Sequence, residues 1–326
     1  MILSLSELET RKIKKLYSQS IFELFIKKEV SMNYKPDKLR LYIEKSELRV
    51  ISKNLKVRLS KELAANFDKG IYNDFISFCS DCINQILGLN IKYPAKAKPI
   101  FYIYIVPDEN FVELLSYPFP EKKGGGRPVS CYDLDGFVTA YGISQNLCIE
   151  QYKYNSISVI ENNIHEFSHN VHHMFFGDKN RLIAEGFAET LPLYILGYEE
   201  KFDEHRHLII NLKQEQIYTA QELIIMEKEG TFGRKTRVEN KSCSFDWSYI
   251  SSYLFVTGYI ISLEKKFNIS KIAAMQKFLE ILTSSPYRSQ FLIFELADII
   301  DCPHEKLLNE KYIQNIAIKR ISVNFS

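Results

Sequence analysis

The string His165-Glu166-Phe167-Ser168-His169 restricts what this chain can fold into more than anything else in it. Two histidines four residues apart share one face of a helix, so both imidazoles can reach one metal ion only if the segment is helical and borders a cleft. The surrounding residues carry that period: Ile157, Ile160, Ile164, Phe167, Val171 and Met174 recur at steps of three and four, giving an expected helix over 157–175. On a 100° wheel His165 and His169 fall about 40° apart, outside the apolar stripe centred near Ile164 and Val171. Glu166, beside the first histidine, is then placed to take a proton from a water at the ion's open position.

A catalytic zinc ordinarily has three protein ligands and an open fourth position. Sixteen residues after His169 comes Glu185, in Ala184-Glu185-Gly186-Phe187-Ala188-Glu189. Residues 181–191 read as a second helix, with Leu182, Ala184, Phe187, Ala188 and Leu191 apolar and the two carboxylates one turn apart. Glu185 is the preferred third ligand, and Glu189 the preferred acceptor for the second ring nitrogen of His165. The alternative is an exposed acidic helix face. Gly186 in mid-helix costs about 1 kcal/mol against alanine, which makes sense if another backbone approaches closely there. His172 and His173 are not read as ligands. Seven residues of helix span about 10.5 Å, too far for His165 and His172 to share an ion with His169 unless the helix breaks, and no glycine lies between His165 and Gly177. They are expected to hydrogen-bond near the cleft or to lie on the surface.

These residues resemble the gluzincin group of zinc metallopeptidases, in which HExxH on one helix is completed by a glutamate on the next, often in a box reading (N/S)EG(F/L)A. The resemblance makes His165, His169 and Glu185 the zinc ligands, Glu166 the general base and Glu189 the carboxylate behind a ligand histidine. It is similar also to an uncharacterised bacterial family of predicted zinc-dependent proteases with HExxH, an EGLAE box and a later aromatic helix containing a Gly-Tyr pair. The match covers about 165–191 well and 249–267 loosely, and the spacing to Glu185 is a few residues shorter than in the gluzincin aminopeptidases. Within 249–267, read as a helix, the resemblance implies a tyrosine that donates to the oxyanion of the tetrahedral intermediate. Tyr253 is the first candidate, with Tyr249 and Tyr259 as alternatives and a core role as the competing reading. No GxMEN-like box precedes the HExxH, so a substrate's free amine need not be read.

The implied activity is zinc-dependent hydrolysis of peptide bonds, with a peptide or protein substrate. The alternatives are hydrolysis of a non-peptide amide or ester, or an inactive binding or regulatory protein on the same fold. With 42 basic against 40 acidic residues the net charge is +2, which advertises neither nucleic acid nor an anionic membrane as partner. Met1–Glu29 lacks the continuous apolar run of a secretory signal, and no stretch is long enough to span a bilayer. Six cysteines in 326 residues fit free thiols and a cytoplasmic location. Cys79-Ser80-Asp81-Cys82, in the apolar, helical-looking segment 75–87, has no second pair to complete a metal site and is read as structural. Oligomeric state is left open.

Along the chain, residues 1–95 read as a mainly helical N-terminal region, closed by Tyr93-Pro94, and 96–326 as a zincin-like catalytic domain. The latter divides into a sheet with the active-site helix over 96–176 and a helical lobe over 177–326. Strands are expected at 100–106, 129–141 and 146–152, the last two flanking the cleft, where an edge strand can pair with an extended peptide. Gly124-Gly125-Gly126 lacks the sequel of a phosphate loop and reads as a mobile connection at the cleft mouth. The polar segment from about Gly230 to Asp246 reads as a loop overhanging it. The fold expected is α+β and predominantly helical: a small mixed or antiparallel sheet lobe and a helical C-terminal lobe, with the zinc site between them.

Overall fold

The structure, a computed structural model, describes residues 36–110, 126–133, 136–154, 156–177, 180–198, 216–233, 237–240, 243–287 and 289–323. The readings of Met1–Glu29 and of Gly124-Gly125 lie outside these residues. The fold is α+β and predominantly helical. In chain order come α1 (Pro36–Lys45), β1 (Glu47–Val50), β2 (Leu55–Leu59), α2 (Lys61–Asp68), α3 (Asn73–Leu87), β3 (Phe101–Val106), β4 (Gly126–Asp133), β5 (Gly136–Ser144), α4 (Gln145–Tyr154), α5 (Ile157–Phe176) and α6 (Arg181–Thr190). After α6 follow a π-helical turn (Leu191–Ile195), α7 (Ala220–Lys228), β6 (Arg237–Asn240), β7 (Cys243–Asp246), α8 (Trp247–Phe267), α9 (Lys271–Ser284), α10 (Ser289–Ile299), α11 (His304–Asn309) and α12 (Tyr312–Val323).

Five strands form one mixed sheet in the order β1-β2-β3-β5-β4. The inner pairings β2–β3 and β3–β5 are parallel, and the outer strands β1 and β4 pair antiparallel to their neighbours. The central strand, Phe-Tyr-Ile-Tyr-Ile-Val, is buried throughout. Its alternate residues serve opposite faces: Phe101, Ile103 and Ile105 join the main core with the helices, while Tyr102, Tyr104 and Val106 pack in a smaller cluster with Ile43 of α1. Tyr42 of α1 donates to the Ile105 carbonyl at 2.7 Å, tying that second layer to the sheet.

Three expectations are corrected here. Residues 1–95 contain the expected helices among those described, but also β1 and β2, and β2 pairs with β3 from Leu55↔Phe101 to Leu59↔Ile105, so sheet hydrogen bonds cross position 95. Residues 146–152, expected as a strand, belong to helix α4. Asp108 provides the reason: its carboxylate accepts from the Asn146 amide at 3.3 Å, satisfying an N–H of the helix's first turn that sheet pairing would otherwise require. The segment 230–246, expected as a loop, carries the β6–β7 hairpin in its second half.

Helix α8 lies at the centre of the helical part. From Trp247 to Ile261 every residue except Tyr249 is buried, the pattern of a helix covered all round. It crosses α6 and α12 at near backbone contact. A Cβ on Gly186 would lie 2.4 Å from the Ser252 carbonyl oxygen, the close approach expected from the sequence, and Thr190 Oγ1 meets Thr257 Oγ1 at 3.0 Å one turn on. Among the described residues no helix is long and apolar enough to cross a membrane.

Candidate metal centre

Three local signals build the two helices that carry the site. Ser156 caps α5 by accepting from the Val159 amide, and Gly177 ends it in a backbone conformation (φ 57°, ψ −152°) that a side chain would strain. Asn180 then caps α6, its Oδ1 accepting from the Ile183 amide at 2.8 Å, and Glu227 of α7 accepts from the Arg181 amide at 3.0 Å. Both are acceptors at a helix N-terminus, where amides lack partners and the dipole favours negative charge. Phe167 locks α5 onto the sheet, its ring edge-on to Phe101 at 5.8 Å and to Tyr141 at 5.6 Å. The opposite face of α5 is thereby turned toward α6.

On that face His165 Nε2 and His169 Nε2 lie 3.3 Å apart, and Glu185 Oε2 stands 3.7 Å from the first and 3.6 Å from the second. The point equidistant from these atoms is roughly 2 Å from each, the length of zinc–nitrogen and zinc–oxygen bonds. Two imidazoles and a carboxylate are also the donor set a borderline-soft divalent ion accepts. Among the described residues this is the cluster of His, Cys, Asp or Glu side chains whose geometry could hold a metal ion. The side chains are 14%, 6% and 13% exposed, enclosed but reachable.

Each donor is held from behind. Glu189 Oε1 lies 3.3 Å from His165 Nδ1. His172 Nε2 lies 3.0 Å from His169 Nδ1. Arg181 Nε donates to Glu185 Oε1 at 3.2 Å, and its guanidinium also donates to the Phe232 carbonyl at 3.4 Å and to the Tyr249 hydroxyl at 2.9 Å. The same guanidinium sits over the Phe232 and Tyr249 rings, 4.8 and 5.9 Å from their centroids. Behind Glu189, one turn before His165, the buried Glu161 carboxyl hydrogen-bonds Glu189.

The electrostatics follow from this crowding. Burial opposes charge on His165, yet the Glu189, Glu166 and Glu185 carboxylates outweigh it and push its pKa up to about 10. Burial dominates at His169, which falls to about 4 despite Glu185. His172 is pushed well down by burial and by the neighbouring histidines. Glu161 is pushed up to about 8 by burial and by the Glu189 charge.

The structure thus brings together His165, His169, Glu185 and Glu189, with Glu166 partly exposed on the same helix and its charge acting on His165. Of the three tyrosines, Tyr249 is tied to the cluster through Arg181. Tyr253 is buried in the main core, and Tyr259 is fully buried with its hydroxyl donating to the Leu296 carbonyl at 2.9 Å. Cys79 and Cys82 are buried free thiols, as expected of structural cysteines, and burial raises both pKa values. His172 does hydrogen-bond near the cleft. Arg181 and Glu161 are absent from the sequence reading, although each stands four residues before a donor on its own helix, where side chains one turn apart meet. No family model matches the chain, and no curated protein is significantly similar to it.

Proposed function

We propose that this protein is a zinc-dependent peptidase of gluzincin type, hydrolysing peptide bonds with Glu166 as general base. The observation that carries the reading is the triangle of His165 Nε2, His169 Nε2 and Glu185 Oε2, whose sides of 3.3, 3.7 and 3.6 Å suit one small divalent ion. A zinc ion held there would polarise the scissile carbonyl and bring the pKa of a bound water to about 7. Glu166 takes the proton from the attacking water and passes it to the leaving amine nitrogen. Glu189 keeps the proton of His165 on Nδ1, leaving Nε2 as a donor. Tyr249 supplies the hydroxyl that meets the developing oxyanion, because Arg181 holds that hydroxyl beside Glu185.

The sheet supports an extended substrate. β4 is an outer strand, and α5 packs against both β5 and β4, so a peptide added along that edge would run beside the active-site helix. Buried free thiols at Cys79, Cys82, Cys148 and Cys302 support a cytoplasmic location.

Elemental mass spectrometry of the purified protein tests the centre: about one zinc per wild-type chain, with clear loss in Glu185→Ala and His165→Ala. A peptide-library digest then tests the chemistry. Glu166→Gln retains zinc and loses nearly all cleavage. Wild-type protein that stays empty in added zinc removes the centre, and substantial cleavage by Glu166→Gln removes the mechanism.

A further inference from the structure

His172 lies three residues beyond His169 and is 3% exposed. Its Nε2 is 3.0 Å from His169 Nδ1, and its ring stacks on Phe176 with centroids 5.0 Å apart and planes 24° apart. Packing therefore fixes the ring, and the ring faces the nitrogen of His169 that the metal triangle does not use. One proton sits between two imidazole nitrogens, and it can belong to either. If His172 held it, His169 would carry its own proton on Nε2, the atom that points at His165 Nε2 and Glu185 Oε2. Nε2 could then offer no lone pair to an ion.

We infer that His172 is a positioning residue: it accepts the Nδ1 proton of His169 and so fixes the ring orientation and tautomer in which His169 Nε2 faces the metal triangle. The inference rests on the reading of His165, His169 and Glu185 as metal ligands. It gives the two histidines unequal support. His165 is backed by a carboxylate, Glu189, at 3.3 Å, whereas His169 is backed by an imidazole. A carboxylate makes the stronger acceptor and the more basic ligand behind it. His169 is accordingly the donor whose grip depends more on geometry than on charge.

The test is zinc affinity, by competition with a chromophoric chelator, and the visible spectrum of the cobalt(II) form, for wild type, His172→Leu and His172→Gln. Glutamine keeps an oxygen able to accept from Nδ1, whereas leucine keeps bulk alone. Thermal unfolding in chelator shows that each variant is folded. His172→Leu is expected to bind zinc about 10–100-fold more weakly with an altered cobalt band, and His172→Gln to recover most of the affinity. Equal affinity in wild type and His172→Leu overturns the inference while leaving the metal centre standing. So does an equal loss in both variants, which assigns the effect to packing. A wild type that binds no zinc overturns the metal reading itself. Should the leucine variant not fold, two-bond proton–nitrogen spectra of the zinc-loaded wild type decide the matter: His172 must carry its proton on Nδ1, and a proton on Nε2 overturns the inference.

Discussion

Arg181 Nε lies 3.2 Å from Glu185 Oε1, while Glu185 Oε2 is the oxygen that faces His165 and His169 at 3.7 and 3.6 Å. The two oxygens of one carboxylate are thus assigned different partners by a residue one turn earlier on the same helix. In the proposed centre such a division would favour one-oxygen ligation and leave room at the ion for water and substrate. Arg181 is itself held at Phe232 and Tyr249, so the orientation of the third donor depends on segments well outside α6.

Removing that grip weakens the centre. Arg181→Ala is expected to lower zinc affinity about 10–100-fold, the usual effect of losing a partner behind a ligand. Arg181→Lys falls between, since one ammonium cannot span the three acceptors that the guanidinium fork reaches. Tyr249→Phe leaves the Arg181–Glu185 contact in place, so its affinity stays near wild type while peptide turnover drops roughly 10²–10³-fold. Chelator competition and steady-state cleavage separate the two effects. Unchanged affinity in Arg181→Ala would contradict the role of the arginine, and unchanged turnover in Tyr249→Phe that of the tyrosine.

Gly186 sets two opposing terms against each other. Alanine is the better helix former by about 1 kcal/mol. Its Cβ, however, would stand 2.4 Å from the Ser252 carbonyl oxygen and 2.6 Å from Val256 Cγ2, and the first of these is backbone that cannot rotate away. Sterics win, so Gly186→Ala should lose about 1–3 kcal/mol in urea unfolding. It should also bind zinc less tightly, because α6 packs against both α5 and α8 and cannot move off α8 without shifting Glu185 and Glu189 relative to the histidines of α5. A gain in stability would show that α6 and α8 are not in backbone contact.

The site was readable because its donors sit at helical spacing on strongly periodic segments, where four residues of sequence amount to one turn of space. Gly186 was readable for a related reason, since an unfavourable residue in mid-helix implies a neighbour that needs the room. What escaped depends on partners distant in the chain. β2 carries a local signal, since Leu-Lys-Val-Arg-Leu alternates apolar and charged residues at the strand period, but so short a run becomes part of this sheet only by pairing with β3, more than forty residues on. In α4 the alternation around Leu147 and Ile149 fits a strand as well as a helix. The choice falls to Asp108 at the helix start and to Cys148, buried close to Cys79 of α3. Arg181 is different: its pairing with Glu185 is local, but its hold on Phe232 and Tyr249 is not.

Glu161 ties the centre to pH. Burial first, then the Glu189 charge, raise its pKa from 4.5 to about 8, with His165 opposing. A carboxyl whose folded pKa is raised binds its proton more tightly in the folded chain. Its stabilising contribution is therefore complete below about pH 4.5 and is lost as pH rises through about 8. Glu161→Gln removes this titration but keeps an N–H that can donate to Glu189. In chelator, the two proteins should melt within about 1–2 °C of each other near pH 5, and Glu161→Gln should melt several degrees higher at pH 9, where wild type must ionise a buried group. His165, at about 10, and His169, at about 4, titrate in both proteins, so the difference between the melting curves reports Glu161. A difference that does not change between pH 5 and pH 9 would mean that Glu161 does not hold a proton against Glu189.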